Sequence, residues 1–167
     1  MILDGWSDRS IEEAHLLNPA FCCTMLNSFI FGYSNIHSDG LPYPIIYMIL
    51  PIVLHKSTRE TLPKNTKKSL ASWLHQNQKV RIQFYERLIA LKPYTQEALI
   101  FGFTYDWFEL HPKGKLTSKF NESQIKKMIN SMSEEARECV LRARFIGKWF
   151  ARAGSVPTLM YLWGVTP

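Results

Sequence analysis

Residues 133–154 constrain the architecture of this chain more than any other stretch, because they read as one helix with two incompatible faces. Arg137, Arg144, Lys148 and Arg152 fall on one narrow stripe of a helical wheel, whereas Cys139, Ala143, Ile146, Trp149, Phe150 and Ala153 fall on the other side. Ser133 followed by Glu134 and Glu135 supplies an N-cap and first-turn acids, and Gly154 is placed to end the helix. Such a helix must dock its aromatic face on something and present a row of cations to something else. Arg144, Lys148, Trp149, Phe150 and Arg152, with Trp163 in the apolar tail beyond, are therefore the candidate docking residues.

The rest of the chain reads as further helices and one hairpin. Asn18 before Pro19 marks a helix start, with Cys22, Met25, Leu26, Phe29, Ile30 and Tyr33 following at helical spacing. A turn at residues 34–40 leads to a second apolar element through Leu54, where Pro51 must kink or restart the helix, so residues 14–55 form an apolar helical hairpin. The halves of this hairpin carry prolines, asparagines and hydroxyls, and the second is too short to span a membrane. Residues 55–66 read as a polar, basic loop. Thr66 caps a short helix with Lys67 and Lys68 in its first turn, a helical stripe from Val80 to Ile89 is ended by Pro93, and Thr95 caps another helix. Phe108 and Leu110, then Leu116, Ser118 and Phe120, alternate with polar residues across Pro112-Lys113-Gly114, a β-hairpin pattern. Asn121 starts a short helix, and Ser155-Val156-Pro157 opens the tail.

These elements make one domain over residues 1–167, mainly α with a small β-hairpin (α+β). A winged-helix-like centre at residues 66–120 is flanked by the N-terminal hairpin and by C-terminal helices and a docking tail at residues 121–167. Five tryptophans and ten phenylalanines exceed what a core of this size needs, so some of them are expected to cover a partner surface.

Charge is unevenly distributed. Through His55 there is one basic residue against five acidic ones, a net of −4, and from Lys56 onward a net of +10. Excess cations on one part of a chain suit an anionic partner such as nucleic acid or an acidic protein surface. Two clusters are candidates for nucleic-acid or partner contacts: Lys56, Arg59, Lys64, Lys67 and Lys68, and, on the hairpin, Lys113, Lys115 and Lys119. Lysines in a first helical turn oppose the helix dipole, which gives the first cluster a reason beyond solubility.

Nothing in the sequence assembles a catalytic constellation. Gly114-Lys115 resembles the end of a phosphate-binding loop, but the required glycine five positions earlier is Glu109, and the fragment sits in a hairpin. The five histidines make no HxxxH pattern, and no serine or cysteine stands in a nucleophile elbow. Cys22, Cys23 and Cys139 read as buried thiols of a reducing cytoplasm, and Met1 to Trp6 lacks the start of a signal peptide. No enzyme activity, cofactor or metal is expected.

Leu17 to Phe21, Leu41 to Pro44 continuing through Leu50 to Pro63, Arg144 to Gly154, and Leu162 to Val165 resemble the middle component of three-component ABC systems. The similarity is in particular to the small subunit of Lamassu-type bacterial defence. It implies an SMC- or Rad50-like ABC ATPase with a coiled coil as partner, and a separate effector, commonly a nuclease. It also implies a non-catalytic subunit resembling the winged-helix accessory proteins of condensin-type complexes, guarding the cell against phage or plasmid DNA, with no catalytic residues to carry over. The alternative is an independent winged-helix transcriptional regulator, which binds its operator alone, usually as a dimer. The apolar first third and aromatic tail suit permanent subunit contacts better.

Overall fold

A computed structural model describes residues 8–165; Met1 to Trp6, read above for a targeting signal, lie outside them. At its centre is α2 (Pro19–Ser34), in which every residue from Cys22 to Ile30 is buried. The Asn18 side chain starts it, accepting from the Ala20 and Phe21 amides at 2.8 and 3.3 Å while Pro19 occupies the first turn. A helix apolar all round is stable only when enclosed. Here α8 (Glu134–Phe150) packs along one side and α6 (Phe84–Thr104) along another.

Around this centre run α1 (Ile11–Leu16), α3 (Ile49–Val53), α4 (Lys56–Thr61), α5 (Leu70–Gln76), α7 (Glu122–Asn130) and α9 (Val156–Leu162). Strands β1 (Leu41–Pro42), β2 (Phe108–His111) and β3 (Lys115–Ser118) form an antiparallel sheet of order β1-β3-β2, with Leu116 opposite both Leu41 and Leu110. Leu41 and Leu116 are fully buried, which joins the sheet to the core. The chain is thus mainly helical with a small antiparallel sheet, and no helix among the described residues is long and apolar enough to cross a membrane.

Local signals are met at several element ends. Asn121 and Gln124 make a reciprocal capping box at α7. Ser133 and Ser155 cap α8 and α9, and Gly154, at φ +113°, lies in the turn after α8.

Other expectations are corrected. Pro93 does not end a helix: α6 runs through it, and Thr95 is buried inside, its hydroxyl donating to the Leu91 carbonyl at 3.1 Å. Proline removes one backbone hydrogen bond, and burial of the face carrying Thr95, Ala98, Leu99 and Gly102 holds the helix on both sides of it. The second limb of the N-terminal hairpin is a 3-10 segment (Tyr43–Met48) followed by α3. Pro51 sits in the first turn of α3, where an amide has no intrahelical acceptor to lose. Residues 56–61 form α4 rather than a loop. Ser69, not Thr66, caps α5, so Lys67 and Lys68 precede that helix instead of opening it. Within residues 66–120 the order is α5, a 3-10 turn (Gln78–Arg81), α6 and the β2–β3 hairpin, with β1 joining the sheet from outside this segment.

Candidate nucleic-acid and partner interface

The segment joining α4 to α5 carries Lys64, Lys67 and Lys68 and is fastened to α8 and the turn after it at three points. Arg142 donates to the Pro63 carbonyl at 3.2 Å, the Trp149 indole to the Lys68 carbonyl at 2.8 Å, and the Arg152 guanidinium to the Thr66 hydroxyl. The Trp73 indole holds the upstream end, donating to the Thr61 carbonyl at 3.1 Å. Helix α8 and the turn after it therefore fix the loop and add Arg142 and Arg152 to its lysines. Lys64 and Lys67 are exposed, and among the described residues none of these five cations is ion-paired with a carboxylate. Lys68 is half-buried and bonds to the Gln76 amide. Beside the loop, Thr66, Lys67, Ser69, Trp149, Arg152 and Thr158 line an open cleft of about 350 Å³.

The hairpin lysines are differently placed. Lys113 is exposed at the turn, where Gly114 takes φ +67°. Lys115 pairs with Asp39 at 2.9 Å and Lys119 with Asp106 at 2.5 Å. The Lys115 hydrogen bond holds the Asp39 carboxyl below its usual range, and the bond to Asp106 raises the Lys119 ammonium. Two of these three cations are thus largely neutralised within the chain.

Arg59 leaves the surface set. It is 3% exposed, donates to the Val53 carbonyl at 2.7 Å, and reaches Glu135 and Glu138 at 3.3 and 3.5 Å. A guanidinium this deep serves the join between α3, α4 and α8, because a buried cation is tolerated only when opposite charges are set against it. Lys56 remains exposed beside Glu60, at 3.9 Å.

The expected docking aromatics lie in the core. Trp149 and Trp163 are 2% exposed and Phe150 is fully buried, so none presents a surface to a partner. The aromatic face of α8 docks inside its own chain: Trp149 meets Trp73 edge-on at 5.3 Å between ring centroids, Phe150 meets Phe29 at 5.7 Å, and Trp163 lies 4.5 Å from Phe84. The cationic stripe is also partly used internally. Arg144 makes a two-pronged pair with Glu122 and lies over the Phe31 ring at 4.9 Å from its centroid. Arg137 reaches the Ile129, Asn130 and Met132 carbonyls at the end of α7, each at 3.4 Å. Lys148 is half-buried and Arg152 exposed. Residue spacing alone could not distinguish these fates, since each depends on a partner on another element.

Among the described residues, no three of the His, Cys, Asp and Glu side chains come together as a metal site. His37 donates to the Ala151 carbonyl at 2.8 Å, while His55 and His111 bond to the Thr58 and Thr117 hydroxyls at 2.7 and 2.9 Å. The three cysteines are free and buried. Burial pushes the Cys22 thiol up to about 12 and raises Cys23 and Cys139 as well, which keeps all three protonated at neutral pH.

Fold and surface together define a mainly helical α+β protein with a basic loop fastened to a core helix. Residues 6–167 match the family described as ABC-three component (ABC-3C) system Middle Component 3, and the chain belongs to that family. Neither the curated proteins nor the solved structures include a match.

Proposed function

We propose that this middle component is a non-catalytic accessory subunit of an SMC/Rad50-like ABC ATPase complex in the cytoplasm. In this reading it engages foreign DNA, from phage or plasmid, and couples that event to an effector such as a nuclease, as in Lamassu-type defence. The observation that carries the proposal is the fastened loop. Lys64, Lys67 and Lys68 are held beside Arg142 and Arg152 by bonds to α8 and to the turn after it, and among the described residues none of the five is ion-paired with a carboxylate. Fixed cations without counter-charges suit phosphate oxygens, which need positive charge on a shaped surface and no base-specific contact. In the same reading α5, α6 and the three-stranded sheet form the winged-helix-like centre, with Lys113 at the tip of the wing. The membership of the family supports a role inside a multi-component ABC system rather than as an independent regulator.

The test is DNA binding by the reconstituted complex across a salt series. Reversing Lys64, Lys67 and Lys68 to Glu should reduce the slope of log affinity against log salt by about 3, and lower protection of cells from phage. An unchanged slope with unchanged protection rejects the loop as the DNA contact.

A further inference from the structure

Helix α6 begins without a side-chain cap. Its Ncap residue, Gln83, stands in the left-handed region at φ +55° and ψ +23°, and among the described residues no side chain accepts from the first-turn amides. Asn18, Asn121 and Ser133 do so for α2, α7 and α8. The free amides of a helix end need an acceptor, and the 21 residues of α6 aim the positive end of its dipole at the same place. A left-handed residue followed by helical ones also turns successive N–H groups toward one point, a concavity that favours an anion. A residue with a Cβ holds that conformation only where its surroundings impose it.

This helix start opens into a cleft of about 620 Å³ between the 3-10 turn (Gln78–Arg81) and the end of α9, lined by Lys79, Arg81, Gln83, Tyr85, Glu86 and Trp163 among others. Lys79 and Arg81 are exposed, and among the described residues neither is ion-paired with a carboxylate. Glu86 is the one carboxylate on the wall among the described residues. Arg87 engages the acceptors of the turn itself, donating to the Val80 and Ile82 carbonyls at 3.0 and 2.8 Å. Donors therefore prevail in the cleft. The Trp163 indole is an independent sign of a missing acceptor. Trp163 is 2% exposed and forms part of the wall, yet its N–H has no hydrogen-bond partner among the described residues. The core indoles of Trp73 and Trp149 do donate, to the Thr61 and Lys68 carbonyls at 3.1 and 2.8 Å. A buried donor left unpaired is costly and calls for an explanation.

We propose that this cleft binds a phosphate group, seated at the N-terminus of α6 against Lys79, Arg81 and the Trp163 indole. A phosphate suits the set better than a carboxylate, because its several oxygens can accept from the amides, both cations and the indole together. A small phosphate ester and a nucleic-acid backbone supply the same chemistry at this point. The site is separate from the basic loop, since none of Lys64, Lys67 and Lys68 lines it, and the inference does not rest on the DNA reading.

The test is a titration of the full chain with sodium phosphate, followed by NMR at the Trp163 indole N–H and the Tyr85 and Glu86 amides, with sodium chloride at matched ionic strength as the reference. Saturating shifts are expected in phosphate and not in chloride, with a Kd on the order of 1 mM. Lys79→Gln combined with Arg81→Gln should weaken binding at least about tenfold without changing the circular dichroism, because both side chains are exposed. Trp163→Phe keeps a ring against Phe84 and Trp73, loses the donor, and should also weaken the titration. Reversing Lys64, Lys67 and Lys68 to Glu should leave it unchanged even where DNA binding is lost, which separates this site from the loop. Adenosine monophosphate and a short DNA duplex, titrated separately, identify the source of the phosphate. Shifts of the same signals by the duplex, removed by the Lys79 and Arg81 substitutions, assign a backbone contact; shifts by the mononucleotide alone assign a small ester; shifts by neither assign the free ion. Shifts that do not saturate in phosphate, equal shifts in chloride, or a phosphate titration unchanged in either variant overturn the proposal.

Discussion

Gly147 of α8 lies so close to Phe29 of α2 that a Cβ on the glycine would sit 2.2 Å from the Phe29 carbonyl oxygen. One turn away the relation is mirrored, with a Cβ on Gly32 falling 2.2 Å from the Arg144 carbonyl oxygen. The two helices that carry most of the core cross at backbone contact, and Ser28 ties them again by donating to the Val140 carbonyl at 3.0 Å. The obstructing atoms are backbone, so a methyl group cannot be accommodated by a rotamer change. Gly147→Ala should therefore destabilise the chain by at least about 1–3 kcal/mol, read as a lower urea midpoint at unchanged slope. A midpoint equal to wild type would show that the helices can separate freely.

Trp149 tests where the aromatic face of α8 belongs. Its indole packs against Trp73 and Phe145 and donates to the Lys68 carbonyl at 2.8 Å. Trp149→Ala should cost roughly 3–5 kcal/mol of folding stability in the isolated chain. Trp149→Phe, which keeps most of the packing and loses the indole donor, should cost less. Urea unfolding without any partner present is the measurement. Wild-type stability for Trp149→Ala would return this residue to the surface role that the helical wheel suggested.

Glu122 and Arg144 give the stability an acid limb. The hydrogen bond from Arg144 holds the Glu122 carboxyl below its usual range. A carboxyl with a lowered folded pKa contributes stability that is present above the unfolded value, about 4.3, and is lost as pH falls through the folded value. Glu122 is 44% exposed, so solvent keeps the contribution below about 1 kcal/mol. Arg144→Gln should flatten this part of the stability profile as pH falls below about 5, the acid side of the unfolded carboxyl value, while leaving the neutral region less affected. Arg144→Glu, which sets two carboxylates together over the Phe31 ring, should lower stability at neutral pH. Urea midpoints measured at a series of pH values decide both; a profile for Arg144→Gln parallel to wild type removes the pair from the acid limb.

The sequence by itself determined the features whose physics is local. Asn18 before Pro19, Asn121 with Gln124, Ser133 and Ser155 each satisfy amides within their own first turn, so those helix starts were legible from composition and spacing. The alternation around Pro112-Lys113-Gly114 defined β2 and β3 for the same reason. Tertiary structure decided what local spacing leaves open. Strand β1 joins the sheet because Leu41 meets Leu116, and Lys115 is neutralised by Asp39, a contact 76 residues apart. Arg59 is interior because Val53, Glu135 and Glu138 converge on it, and α6 continues through Pro93 because its buried face holds it. Periodicity shows that a helix has an apolar face. It cannot show whether that face meets the same chain, as Trp149 does, or is left outside, as Ile89 and Ile100 are, because that depends on which surfaces the remaining elements have already covered.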